Sequence, residues 1–113
     1  MRLKLPAATI IAPAKLSHYL LVPQAKGDKS RFLALAGYNP STADQLLDDL
    51  RTQVLPCEAV ELQTTRHGVY FEICSGLLGP NGRSLSIRTI WMKEHLSGRT
   101  KFVTLIPRKK PSP

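Results

Sequence analysis

The stretch AVELQTTRHGVYFEIC, Ala59 to Cys74, decides the fold of this 113-residue chain. Val60, Leu62 and Thr64 alternate with Glu61 and Gln63. Beyond a tight turn at Arg66 to Gly68, Val69, Phe71 and Ile73 alternate with Tyr70, Glu72 and Cys74. A period of two sends successive side chains to opposite faces of a pleated strand, so the stretch predicts a β-hairpin with one buried face. Downstream, Gly79-Pro80-Asn81-Gly82 is a turn signal, with proline pre-set for the first corner and glycine free to take a positive φ. It predicts a third strand over Ser84 to Met92, with Leu85, Ile87, Thr89 and Trp91 toward the core. A polar connection containing Ser97-Gly98 then leads to a fourth strand, Phe102 to Ile106, ended by Pro107.

Upstream of Ala59 the period is helical. Pro13 suits a first helical turn, and Leu16, Tyr19 and Leu20 follow at helical spacing to about Leu21, which puts Lys15, His18 and Tyr19 on one face. Asp28 is the candidate cap of a second helix running to Ala36, stopped by Gly37. A third helix opens near Asn39-Pro40-Ser41, with Ser41 as expected N-cap and Asp44 as its capping-box partner. Leu46, Leu47, Leu50 and Val54 form its apolar stripe, and Pro56 ends it. Asp44, Asp48 and Asp49 read as a solvated acidic face. Helices followed by an antiparallel meander predict an α+β fold, with short N-terminal helices packed on one face of about four strands. One domain is expected over residues 1–107, with 108–113 as a basic, proline-containing mobile tail.

Sixteen Lys and Arg against eight Asp and Glu give a net charge of +8, and 42 % hydrophobic content suffices for a single core. The charge is uneven: residues 1–31 carry +5, residues 41–61 carry −4 and residues 83–113 carry +7. Two basic ends around an acidic middle suit a polyanion if the ends meet in the fold. Cys57 and Cys74 have no metal-ligand spacing and cannot form a disulfide framework, so a reducing cytoplasm is the expected location. No segment reads as a secretory signal or as a membrane span, and no membrane association is expected.

Phosphate-cradling loops, paired-cysteine metal sites, HExxH and nucleophile elbows are absent, and neither a metal nor a cofactor is expected. Tyr70-Phe71 lacks the spacing of an RNA-recognition motif. What remains is a set of residues suited to metal-independent phosphodiester cleavage, which needs a base for the ribose 2′-hydroxyl, cations for the phosphorane and an acid for the leaving oxygen. Lys15, His18, Tyr19, Arg88 and Thr104 are the catalytic candidates. Lys29, Arg31, Arg83 and Lys101 are the candidate RNA-phosphate contacts. Each has an ordinary reading beside the functional one: Lys15 as a surface lysine, Tyr19 as half-buried packing, Thr104 as a strand former, Arg88 as the partner of Glu72 on the adjacent strand. His67 and His95 read as solvent-facing turn residues.

Three stretches carry a family resemblance: Lys15-Leu16-Ser17-His18-Tyr19-Leu20-Leu21; Gly27-Asp28-Lys29-Ser30-Arg31-Phe32 with Gly37-Tyr38; and Arg88-Thr89-Ile90-Trp91 with Phe102-Val103-Thr104-Leu105-Ile106-Pro107. Together they resemble a family of small bacterial proteins similar to the barnase/EndoU/colicin/RelE ribonuclease-toxin group. The resemblance implies N-terminal helices on a four-stranded antiparallel sheet, an endoribonuclease acting as the toxin of a toxin/antitoxin pair, RNA as substrate and a cognate antitoxin as partner. It points to Lys15, Tyr19, Lys29, Arg88 and Thr104. A His-Pro pair of the relatives is replaced here by Pro23-Gln24-Ala25-Lys26, so the resemblance leaves the base to His18 or to no residue. The alternative expectation is a non-catalytic nucleic-acid-binding module or a protein-interaction partner in such a pair.

Overall fold

In the computed structural model, which describes residues 2–108, five strands form one antiparallel sheet in sequence order. They are β1 (Arg2–Leu3), β2 (Ala59–Thr64), β3 (Gly68–Leu78), β4 (Ser84–Glu94) and β5 (Thr100–Pro107). The predicted four-stranded meander is β2 to β5, and β1 extends it at one edge by pairing with Ala59 and Val60. A two-residue strand carries too little alternation to be visible in sequence. Arg108 still donates its backbone N–H to the Ser86 carbonyl at 3.0 Å, so the ladder reaches one residue into the predicted tail. The rest of that tail, 109–113, lies outside the described residues.

Three helical segments cover one face. Helix α1 starts as Pro13–Lys15 and widens over Leu16–Leu20, where the Leu21 N–H reaches the Leu16 carbonyl at 3.0 Å. Helix α2 is Ser30–Ala34. Helix α3 runs without a break through Pro40–Thr42, Ala43–Asp49 and Leu50–Val54. Its cap is Asn39 rather than Ser41: the Asn39 side chain accepts from the Ser41 N–H at 2.8 Å, and the Thr42 hydroxyl accepts from the Asn39 N–H at 2.8 Å. The box closes on Thr42 because Pro40 takes the first helical position, where its missing N–H costs nothing. Asp28, just ahead of α2, accepts from both the N–H and the hydroxyl of Ser30.

The core lies between Leu16, Leu20, Leu33, Leu46, Leu50 and Val54 of the helices and Phe71, Ile73, Leu77, Ile87, Trp91 and Leu105 of the sheet. Each such side chain, fully buried, contributes about 1.5–3 kcal/mol against leaving it in water. Trp91 meets its cross-strand partner Phe102 edge to face at 5.2 Å, and its indole N–H donates to the buried Thr89 hydroxyl at 2.7 Å. Asp49 departs from the expected solvated face. It is buried, accepting from the Tyr38 hydroxyl at 2.5 Å and from Gln45 at 2.9 Å. Among the described residues no helix packs on the other face of the sheet, and Val60, Leu78, Arg88, Ile90, Thr104 and Ile106 lie there.

Candidate functional site

The basic N-terminal region and the last strand meet at the β5 edge. Ile10 bridges in parallel to Lys101, with the Ile10 N–H on the Thr100 carbonyl and the Phe102 N–H on the Ile10 carbonyl, both at 2.8 Å. This short pairing sets α1 alongside β5. Farther along the edge the Lys15 ammonium donates to the Val103 carbonyl at 3.0 Å.

Val103 is the extra residue of a β-bulge, since Ile90 pairs with Thr104 while Trp91 pairs with Phe102. Without the bulge, Phe102 and Leu105 could not both face the core. With it, Thr104 stands on the open face beside α1. The wide last turn of α1 carries His18 and Tyr19 outward beside Lys15, and widened turns of this kind recur at functional sites. Lys15, His18, Tyr19 and Thr104 thus line one open pocket of about 620 Å³, together with Ala14, Leu20 and Val103.

The electrostatics of the pocket centre on Lys15. Partial burial, and then the nearby charge of Lys101, push its ammonium below the ordinary lysine range. Tyr19 is 54 % exposed, and among the described residues no hydrogen bond occupies its hydroxyl, the His18 ring or the Thr104 hydroxyl. Three polar groups and a destabilised cation therefore face the same open volume.

Arg88 is not part of that lining. It pairs with Ile106, one residue row along the open face from the Ile90–Thr104 pair, which makes Arg88 and Thr104 diagonal neighbours about 7–8 Å apart. Its Nε donates to Glu72 on β3. The second Glu72 oxygen accepts from the Cys74 thiol at 3.1 Å. The Cys74 bond, followed by the bond and charge of Arg88, holds the Glu72 carboxyl below its usual range, and burial first, then Glu72, raises the Cys74 thiol.

The expected phosphate contacts do not gather with the pocket. Lys101 is the nearest, close enough to act on Lys15 while bound to Glu94 at 3.4 Å. Lys29 and Arg31 stand at the start of α2, and Arg83 lies in the β3–β4 turn at the opposite end of the sheet from Lys101. His67 and His95 occupy adjoining turns, where the His95 N–H bonds the His67 carbonyl at 3.1 Å.

A model of the family described as Domain of unknown function (DUF6883) matches residues 2–109. The chain belongs to that family. Among solved structures, this DUF6883 chain is similar to one from the contact-dependent growth inhibition toxin - immunity protein complex from Klebsiella pneumoniae 342. The TM-score is 0.62 at 15 % identity, covering 88 % of this chain and 100 % of that one. No curated protein matches it. The shared feature is the fold. No helix among the described residues is long and apolar enough to cross a membrane, and no cluster of three or more His, Cys, Asp or Glu among them could hold a metal ion.

Proposed function

We propose that this protein is a metal-independent endoribonuclease, the toxin half of a bacterial toxin/antitoxin pair that acts on cytoplasmic RNA. The observation that carries this reading is the meeting of Lys15, His18, Tyr19 and Thr104 in one open pocket, from positions far apart in the chain. In the proposed reaction His18 takes the 2′-hydroxyl proton, and the oxygen attacks phosphorus. Lys15 stabilises the phosphorane, and the Tyr19 and Thr104 hydroxyls orient its oxygens. The leaving 5′-oxygen takes back, through solvent, the proton that His18 removed, and the product carries a cyclic phosphate. Arg88 reaches the same phosphate from the open face once its hold on Glu72 loosens. Its neighbour's place in a toxin–immunity complex supports the expectation of a cognate neutralising protein.

The test is cleavage of RNA by the purified protein in EDTA. Lys15→Ala and His18→Ala should each slow cleavage by about 100-fold or more while leaving the circular dichroism spectrum unchanged. Cleavage at the wild-type rate by both variants overturns the assignment. The rival reading, a binding module that does not cut, is favoured by the His18 ring, which no described residue orients as a general base is usually oriented. Salt-sensitive RNA binding without cleavage by the wild type decides for that rival.

A further inference from the structure

Gly76 stands inside β3, two residues before its last residue Leu78, with no local need to be glycine. Its φ is not positive, and a Cβ at this position would lie 3.4 Å from the Ser84 hydroxyl, an ordinary contact. Glycine inside a strand weakens it, and the positions that keep one include those where a ligand or another backbone approaches closely. The missing side chain here leaves the floor of a second open pocket, about 300 Å³, bordered by Ser84, Ser86 and Arg108.

This pocket lies on the same uncovered face as Arg88 and Thr104. Arg108 is fixed at the end of β5 by its bond to the Ser86 carbonyl, and its charge acts on both Glu72 and Cys74, as that of Arg88 does. Thr104, Ile106 and Arg108 alternate along one strand, so the two pockets are about 13 Å apart, the rise of four strand residues. Between them lie the Arg88 guanidinium and the half-buried side chains of Ile90 and Ile106. The face thus presents a cation at each end, the Arg88–Glu72 ion pair in the middle and apolar side chains between.

We infer that the pocket over Gly76 is a subsite for a flanking phosphodiester of single-stranded RNA, with Arg108 as the cation and the Ser84 and Ser86 hydroxyls as donors. The inference rests on the endoribonuclease reading of the first pocket. A single strand fits because its unstacked bases can lie on Ile90 and Ile106, whereas a duplex keeps its base faces inside the stack. The site adds length dependence to the proposed reaction: a dinucleotide fills the first pocket alone, and a longer strand fills both.

The experiment compares kcat/KM on a dinucleotide and on an octanucleotide of RNA, in EDTA, for the wild type, Gly76→Val and Arg108→Ser. Valine suits a strand and fills the pocket without changing charge; Arg108→Ser removes the charge and leaves the backbone bond to Ser86. The wild type should prefer the octanucleotide by roughly tenfold, the scale of one charged hydrogen-bonded contact, and either variant should abolish that preference. No length preference in the wild type, or an equal loss on both substrates in both variants, overturns the subsite. If the wild type cuts neither RNA, the endoribonuclease reading fails separately, and the octanucleotide's binding by fluorescence anisotropy decides. Binding weakened roughly tenfold in both variants upholds the subsite, and binding that is absent or unchanged by both overturns it.

Discussion

Glu72 holds one oxygen toward Arg88 and the other toward Cys74, on a face where Arg88 keeps 39 % of its side-chain surface exposed. Water screens such a pair, so its worth is small and depends on pH. Because the folded carboxyl lies below its usual 4.5, its contribution is complete above about pH 4.5 and is lost as pH falls through the folded value. Glu72→Gln should therefore lower stability by roughly 1 kcal/mol at pH 7 and by less at pH 3, in urea melts at the two pH values. Tyr38 and Asp49 form a different kind of pair, buried beneath α3, and burial first and then the Asp49 bond push the phenol well above its usual range. Removing the hydroxyl in Tyr38→Phe leaves a buried carboxylate short of a donor, which should cost about 1–3 kcal/mol by the same assay. The acidic run of α3 gave no sign that Asp49 would differ from Asp44 and Asp48. The four-residue spacing from Gln45 to Asp49 was its only local trace.

The strands and helices were readable where one face is buried and one is wet, as in β3 and β4, whose alternation leaves a single register. β5 needed a second signal. Phe102 and Leu105 are three apart, a spacing that no regular strand can turn inward, and that spacing is the visible mark of the bulge at Val103. Lys15, His18 and Tyr19 could be grouped because they share a helix face. Thr104 joins them only through the Ile10 bridge, a long-range pairing with no local pattern. The β3–β4 turn contributes to packing as well as to reversal: its Asn81 bonds the Ala36 and Leu35 carbonyls at the end of α2, at 3.2 and 3.0 Å. Gly79 makes this docking close enough, for a Cβ there would sit 2.2 Å from the Ala36 carbonyl oxygen. Gly79→Ala should accordingly destabilise the fold by about 1–3 kcal/mol or more, as an overpacked contact does, while Gly82→Ala, with open space around it but a positive φ, reports backbone strain alone; paired thermal melts separate the two.

Across the whole molecule, the N-terminal segment meets β5 through the Ile10–Lys101 bridge, while Lys29, Arg31 and Arg83 stand apart from that meeting point. If Lys15 and Arg88 share the scissile phosphate and Arg108 takes a flanking one, the logarithm of affinity for a short single strand should fall with the logarithm of salt at a slope of roughly −1.4, and Arg108→Ser should make it shallower by about 0.7. Anisotropy titrations over a salt series measure both. The N-terminal segment has a further part in this geometry. Leu3 pairs at one edge of the sheet and Ile10 at the other, with Leu5 and Ile11 in the core between and beyond them. The sheet therefore cannot close at both margins until this one segment has met both Ala59 and Lys101. Such contacts, distant in sequence, close late and slowly, and the last of them completes the sheet. Until that moment no pocket exists, and the polypeptide has none of the surface on which its proposed activity depends.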